Sequence, residues 1–416
     1  MSVKLRVLNY MKYWRSPEAL MLAGRGTQLI AQMVMLLVVP KVLIPDLYVQ
    51  LNLVLPLAFL GVSLMFGWMN NAIHRHVYEL LSDDGERFRQ TVFKYYALVC
   101  LLLCLFTFFS QFYTDSLYQL IPLLLATTAL KNGILGVLNT SGNSKGFFFA
   151  SVGFAFSLLL FVGLCYIDSE VNLHRNLIVF ASIDMAVAVI AWWAIGVFRV
   201  PPYPHFDTKI AAGYFHYGLP LVLKMIGVWV ISISDRYFLS IWQSPAEVAS
   251  YILSYQLSGS AITIPMSFLF AVIFPKILQI EKDKSQKEAL VYTYKILGFY
   301  FRLMIPVFIV VTIVILLVQY YIYSNYEFSP LIVVTIVLAH LIFELSQFYN
   351  KEYELNGRTL IITKGIAFGA IVNVVLNIIL IPVLGGLGAA IATLLAYMLA
   401  VYIVYNNRQH YPSREI

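Results

Sequence analysis

The stretch GYFHYGLPLVLKMIGVWVISISDRYFLSI, from Gly213 to Ile241, decides the fold. It is apolar for longer than the about 20 residues a helix needs to cross a bilayer core, so it reads as a transmembrane helix. Three charges interrupt it: Lys224 near its start, then Asp235 and Arg236 near its end. A charge turned to lipid is costly, so such groups face a bundle interior or a watery cavity. Lys224 and Asp235 lie eleven residues apart, which at roughly 100° per residue leaves them about 20° out of phase. They share a face. Arg236 points elsewhere, and its long stem predicts that it snorkels to the water interface. The competing reading places all three at helix ends with no further role.

The composition extends this reading to the whole chain. Of 416 residues, 60% are hydrophobic and only 12% charged. A soluble domain carries about a quarter charged residues, so this chain belongs in lipid. Its long apolar runs predict an all-α polytopic bundle and not a barrel. The net charge of +7 fits loops retained on the cytoplasmic side and gives no reason to invoke nucleic acid. Cys100 and Cys104 share one apolar run and Cys165 sits in another, with no metal-ligand or redox spacing, so packing explains them. The first apolar run lacks a cleavage-site pattern and is too long for a signal peptide.

Twelve spans are predicted: 20–40, 47–70, 92–112, 118–138, 147–167, 174–197, 213–237, 249–274, 296–318, 330–348, 362–382 and 387–405. They divide into a six-helix bundle over 20–197, a linker over 198–212 and a second six-helix bundle over 213–405. A basic amphipathic segment over 1–19, carrying Lys4, Arg6, Lys12 and Arg15, suits an anionic membrane surface, and 406–416 forms a tail. The longer connections, 71–91, 198–212, 275–295 and 349–361, all fall on one side. Of the 28 lysines and arginines, only Lys41 and Arg175 fall on the other, with Lys224, Arg236 and Arg302 inside spans or at an end. The positive-inside rule then puts both termini in the cytoplasm, as an even number of spans requires.

The halves carry a faint internal likeness. Pro56 and Pro265 lie 209 apart, and Pro122 and Pro330, at the starts of spans four and ten, lie 208 apart. Parallel six-span repeats related by a pseudo-two-fold along the membrane normal would produce this, with substrate bound between the halves.

Polar side chains recur at helical spacing inside the spans. Arg25, Gln28 and Gln32 form a stripe in span one, where Gly24 and Gly26 permit close approach of a backbone or ligand. Arg25 either forks onto a phosphate, a geometry lysine lacks, or serves as a cytoplasmic-end charge. Span four brings Lys131, Asn132 and Asn139 toward one side, and span ten carries His340, Glu344, Gln347 and Lys351. A buried His340–Glu344 pair is a proton site or an interhelical hydrogen bond. Lys131 and His340 differ by 209, so they are expected to face each other across the pseudo-symmetry. Asp184 in span six and Arg302 in span nine are ion-pair or cavity groups, and Asn373 and Asn377 share a face of span eleven. Soluble catalysis has no support: the chain lacks GxxxxGK[ST], HExxH, GxSxG, zinc spacing and the dinucleotide fingerprint. The run PVLGGLGAAIAT, which does hold glycines, reads as a tight turn between helices.

Two stretches carry a resemblance. YGLPLVL…W…SDRYFLS, from Tyr217 to Ser240, with VASYILSYQL after it, resembles the start of the second half of the O-antigen (Wzx-type) flippases. These form part of the polysaccharide-transporter branch of the multidrug/oligosaccharidyl-lipid/polysaccharide (MOP) exporter superfamily. NVVLNIILIPVLGGLGAAIATLLAYML, from Asn373 to Leu399, resembles that family's C-terminal signature. Elsewhere the likeness lies in span number and topology.

The resemblance implies a flippase, not an enzyme, that moves undecaprenyl-diphosphate-linked oligosaccharide from the cytoplasmic to the periplasmic leaflet of the bacterial inner membrane by alternating access. It implies no cofactor and no resident metal. It implies membrane lipids, polymerase and chain-length proteins of the lipopolysaccharide pathway, and a coupling H+ or Na+ as partners. The residues fit that chemistry. Arg25, Lys131, Lys224 and Arg302 supply cations for a diphosphate, and Gln28, Gln32, Asn132, Asn373 and Asn377 supply polar lining. Asp184, Asp235, His340 and Glu344 are candidate coupling groups. The 28 tyrosines and 29 phenylalanines suit sugar stacking or interfacial belts. An O-antigen polymerase needs a large periplasmic loop, and 113–117, 168–173 and 383–386 are too short. A lipid II flippase or a drug and cation antiporter remain the alternatives within the superfamily.

Overall fold

A computed structural model describes residues 16–75, 86–111, 116–168, 171–196, 208–356 and 358–408. Among the described residues the regular structure is helical. It comprises α1 (Pro17–Val42), α2 (Pro45–Arg75), α3 (Glu86–Ser110), a 3-10 turn (Leu117–Leu120), α4 (Ile121–Thr140), α5 (Ser144–Ile167) and α6 (Leu173–Ala194). It continues with α7 (Thr208–Trp242), α8 (Pro245–Asp283), α9 (Gln286–Ile322), α10 (Pro330–Leu355), α11 (Leu360–Leu384) and α12 (Gly386–Asn406). Each predicted span has its helix. Ten of them, α1, α2, α4–α6 and α8–α12, are long and apolar enough to cross a membrane, and α3 holds the shorter apolar stretch Lys94–Ser110. The chain is a multi-pass membrane protein.

Local chemistry sets the helix starts. Ser16 and Ser244 cap α1 and α8, each followed by a proline whose missing N–H costs nothing in a first turn. At α8 the Glu247 N–H donates to Ser244 Oγ (3.4 Å) and the Ser244 N–H donates to Glu247 Oε2 (3.1 Å), a reciprocal cap. Pro122 and Pro330 occupy the first turns of α4 and α10, so both prolines of that repeat pair do the same job. Between α11 and α12 the chain reverses at Gly385, where φ is +54°, a value that favours glycine. A Cβ on Gly388 would stand 2.5 Å from the Leu380 carbonyl oxygen, so the glycine run is indeed a tight, closely packed turn.

The connection expected over 275–295 is almost entirely helix, since α8 ends at Asp283 and α9 begins at Gln286. At 37 residues α9 is about 55 Å long, well beyond a bilayer core of about 30 Å. The extension holds because Ile273 and Ile277 pack on Ala289, with Ile280, Tyr292, Ile296 and Leu355 around them. An apolar stripe therefore continues beneath the charged residues that the composition marked as loop.

The chain divides into two compact units, Met1–Val222 and Leu223–Ile416. The division falls inside α7, not in the expected linker, whose residues 198–207 lie outside the described residues together with 1–15 and 409–416. Gly218 meets the Trp68 backbone of α2, where an added Cβ would come within 2.5 Å, and Val222 meets Gly67. Those contacts tie the first turns of α7 to the first unit. Within that unit α1 packs on α5, α2 on α4, and α6 on both α4 and α5. Within the second unit Ile231 of α7 packs with Ile366 and Ala370 of α11, α8 packs on α10, and α12 packs on both α10 and α11. Each pairing recurs six helices later, which gives the internal likeness a structural basis.

Candidate functional site

In the first unit the sequence places an acid in the middle of α6 and a lysine in α4, and the α4–α6 packing joins them. Lys131 Nζ lies 3.1 Å from Asp184 Oδ2. The lysine side chain keeps 24% of its surface open, whereas the aspartate keeps 4%. Ser157 of α5 donates to the other carboxylate oxygen, and the ammonium lies 4.7 Å from the centre of the Phe154 ring. The seam is held by the Trp192 indole N–H, which donates to the Leu130 carbonyl at 3.1 Å. Two residues expected in different roles, one for substrate and one for coupling, thus neutralise each other. Burying either alone would cost several kcal/mol, so the pair is mutually required.

Arg25 is exposed on α1, and its guanidinium donates to Asn139 Oδ1 of α4 at 3.1 Å. The amide orients one edge of the fork and leaves the other open. Gln28 and Asn132 are half-buried and Gln32 is exposed. Gly24 is pressed against Phe147 at 3.1 Å from its notional Cβ, whereas nothing lies within 4 Å of the same point on Gly26. Close approach by a helix is therefore met at Gly24, and open space remains at Gly26.

The second unit buries Asp235 completely. Tyr251 of α8 donates to its carboxylate, and the Arg236 N–H donates to it at 2.8 Å. Arg236 does not reach an interface. It is buried, with its guanidinium 5.7 Å from the Tyr255 ring centre, because α8 covers that side of α7. Lys224, on the same helical face as Asp235, is half-buried and has no hydrogen bond or ion pair among the described residues. Eleven residues separate these two by about 16 Å along the helix, so a shared face does not make a pair.

Next to Asp235, Ser234 donates to Asn373 Oδ1 of α11 at 3.3 Å, and Asn377 Nδ2 donates to the same oxygen at 3.0 Å. Both asparagines are fully buried, and Asn373 Nδ2 and Asn377 Oδ1 have no hydrogen-bond partner among the described residues. His340 and Glu344 are both buried in α10, yet no hydrogen bond or ion pair joins them. The imidazole Nδ1 is spent on the Ile336 carbonyl at 3.0 Å, within its own helix, and the ring stands edge-on to Tyr255 at 5.0 Å. Arg302 is exposed on α9 with no partner among the described residues.

Sequence reasoning passed over Ser157, Tyr251, Tyr255 and Ser234. Ser157 and Ser234 left a signal, as hydroxyls inside apolar runs. Tyr251 left none, because a tyrosine in a membrane helix is unremarkable until its neighbour is known.

No family model matches this sequence, and no curated protein matches it either. Solved structures do match over nearly the whole chain. The lipid II flippase MurJ in an inward closed conformation is 15% identical, with 94% of this chain and 86% of that chain covered and a TM-score of 0.62. An inward-facing multidrug resistance MATE family transporter of the MOP superfamily is 14% identical, with 91% and 92% covered and a TM-score of 0.63. A MOP superfamily transporter from Pyrococcus furiosus, described for the reversed polarity of its binding pocket, is 14% identical, with 93% and 92% covered and a TM-score of 0.55. The two six-helix units of this chain therefore carry the fold shared by these MOP-superfamily transporters.

Proposed function

We propose that this protein is a flippase for undecaprenyl-diphosphate-linked oligosaccharide, an O-antigen repeat unit or a close analogue, working by alternating access in the bacterial inner membrane. One observation carries this reading. Of the charges set deep in the spans, the exposed or part-exposed ones are Arg25, Lys131, Lys224 and Arg302, and all are cationic. The deep acids, Asp184, Asp235 and Glu344, are buried. A diphosphate meets positive charge, whereas a cationic drug would meet repulsion. Arg25 supplies a forked donor for a phosphate, and Lys224 and Arg302 act as point and fork charges without competing partners among the described residues.

Asp235 is a coupling group for H+ or Na+. It is fully buried and holds the Tyr251 hydroxyl and the Arg236 N–H, a closed setting that favours a small cation over a large one. Both termini lie in the cytoplasm on this reading, following the lysine and arginine bias. Expression of Lys224→Glu in a strain lacking its own flippase tests the proposal. Surface polysaccharide should fall to background at matched protein level. Wild-type output from that variant would remove Lys224 from the site, and binding of a cationic drug without binding of a polyprenyl diphosphate would replace the flippase reading with an antiporter.

A further inference from the structure

The Lys131–Asp184 pair is built unevenly, and the unevenness has a consequence. Asp184 is walled in: Ser157 donates to one oxygen, Lys131 to the other, and 4% of the side chain is open. Lys131 has a quarter of its side chain open, with one hydrogen committed to the carboxylate and the ammonium over the Phe154 ring. An ammonium has three hydrogens on a four-carbon stem that swings freely, whereas the carboxylate is fixed by a helix whose neighbour is pinned through Trp192 and Leu130. One partner can leave and the other cannot follow.

Among the described residues Lys131 is the one cation paired with Asp184. On α6, Arg175 pairs with Asp168 and His174 bonds Gln119, and Arg175 lies nine residues or about 13 Å before Asp184 along the helix. From α4 the group meeting Asp184 is Lys131, and from α5 it is the uncharged Ser157 hydroxyl. A carboxylate left alone at this depth is strongly disfavoured.

We infer that Lys131 is shared between Asp184 and a phosphate of the substrate, and that Asp184 takes up one proton from the aqueous phase whenever the lysine moves to the phosphate. This rests on the flippase reading above, and it adds a link between anion binding and proton uptake that the reading does not contain. In the outward swing the ammonium exchanges a carboxylate oxygen for a phosphate oxygen, both remaining charge-assisted hydrogen bonds. A hydronium ion then gives its proton to Asp184 Oδ2, forming one O–H bond and leaving water. On product release the proton returns to water and Lys131 returns to the carboxylate. Linkage requires the reverse as well: lowering the pH strengthens anion binding at Lys131, because it frees the lysine. A sodium ion would need several oxygens, and among the described residues Ser157 Oγ is the one oxygen hydrogen-bonded to the Asp184 carboxylate, so a proton is the fitting cation.

Farnesyl diphosphate, added to the purified full-length protein in weakly buffered detergent with a pH indicator, tests this. Wild type should take up about one proton more per bound diphosphate than Asp184→Asn. Infrared difference spectra of the wild type should show a protonated-carboxyl band on addition of the probe, absent in Asp184→Asn. The band in the wild type is read without any variant, and Lys131→Arg, which retains the cation, serves as a second sample that should keep it. Binding with equal proton counts and no carboxyl band overturns the shared lysine while leaving the flippase reading intact. No binding of the probe to wild type overturns both.

Discussion

The Tyr251 hydroxyl donates to the carboxylate of Asp235, joining α8 to α7 at the most deeply buried acid of the second unit. The two residues face each other because the Ser244–Glu247 cap starts α8 immediately after α7 and folds it back alongside. Tyr251→Phe removes the donor and leaves the carboxylate with the Arg236 N–H. The expected cost is about 1–3 kcal/mol. Thermal unfolding in detergent reads it as a lowered Tm, and an unchanged Tm would show that the hydroxyl is idle.

Asp235→Asn should uncouple transport from the ion gradient, since the amide cannot carry the charge that a cation neutralises. His340→Gln should not, because its Nδ1 is already committed to the Ile336 carbonyl. Flipping assayed in vesicles with and without an imposed gradient separates the two. Loss of gradient response in His340→Gln alone would move the coupling site to α10.

Lys131→Met should destabilise more than Asp184→Asn. The first strands a carboxylate that is 4% open, and the second leaves an ammonium that is 24% open and able to reach water. Breaking a buried pair costs about 3–5 kcal/mol, and the exposed partner lowers that figure for the second variant. The double replacement Lys131→Met with Asp184→Leu should recover most of the loss. A double-mutant cycle on unfolding supplies the coupling energy, and simple additivity would argue that the pair is not formed.

Arg25→Lys should lose most of the flipping rate even though the charge is kept, because a lysine cannot offer a fork to phosphate. Arg25→Ala should lose more than about tenfold, equivalent to about 1.4 kcal/mol. Asn139→Ala, which removes only the orienting amide, should fall between wild type and Arg25→Lys. Rates in reconstituted vesicles rank the three. A fully active Arg25→Lys would mean that charge alone matters at this position.

Gly218→Ala should weaken the first unit by about 1–3 kcal/mol, since its Cβ would stand 2.5 Å from the Trp68 Cα and 2.7 Å from its carbonyl oxygen. Backbone cannot yield as a flexible side chain does. Gly26→Ala has open space within 4 Å and should be neutral or stabilising by up to about 1 kcal/mol. Paired melting curves give the contrast directly.

Much of this architecture was written in local sequence. Hydrophobic runs place every helix, and Ser-Pro and glycine signals mark several of their ends. The misjudged places share one cause. At 275–295 charged residues suggested a loop, but an apolar stripe of Ile273, Ile277 and Ile280 carries the helices onward. Arg236 looked free to reach water because nothing in α7 reveals that α8 lies over it. His340 and Glu344 stand one turn apart, yet the imidazole turns to its own backbone.

Sequence by itself determined that this chain forms membrane helices, because hydrocarbon leaves each backbone polar group no partner outside its own segment. It also determined which charges lie at depth. Tertiary structure alone decided how those charges are disposed: Lys131 against Asp184, Tyr251 against Asp235, and Lys224 left without either. Such pairings join residues of different helices, and which helices touch is settled by close packing at points such as Gly24 on Phe147 and Gly218 on Trp68. That information is spread over distant parts of the chain and has no period to reveal it.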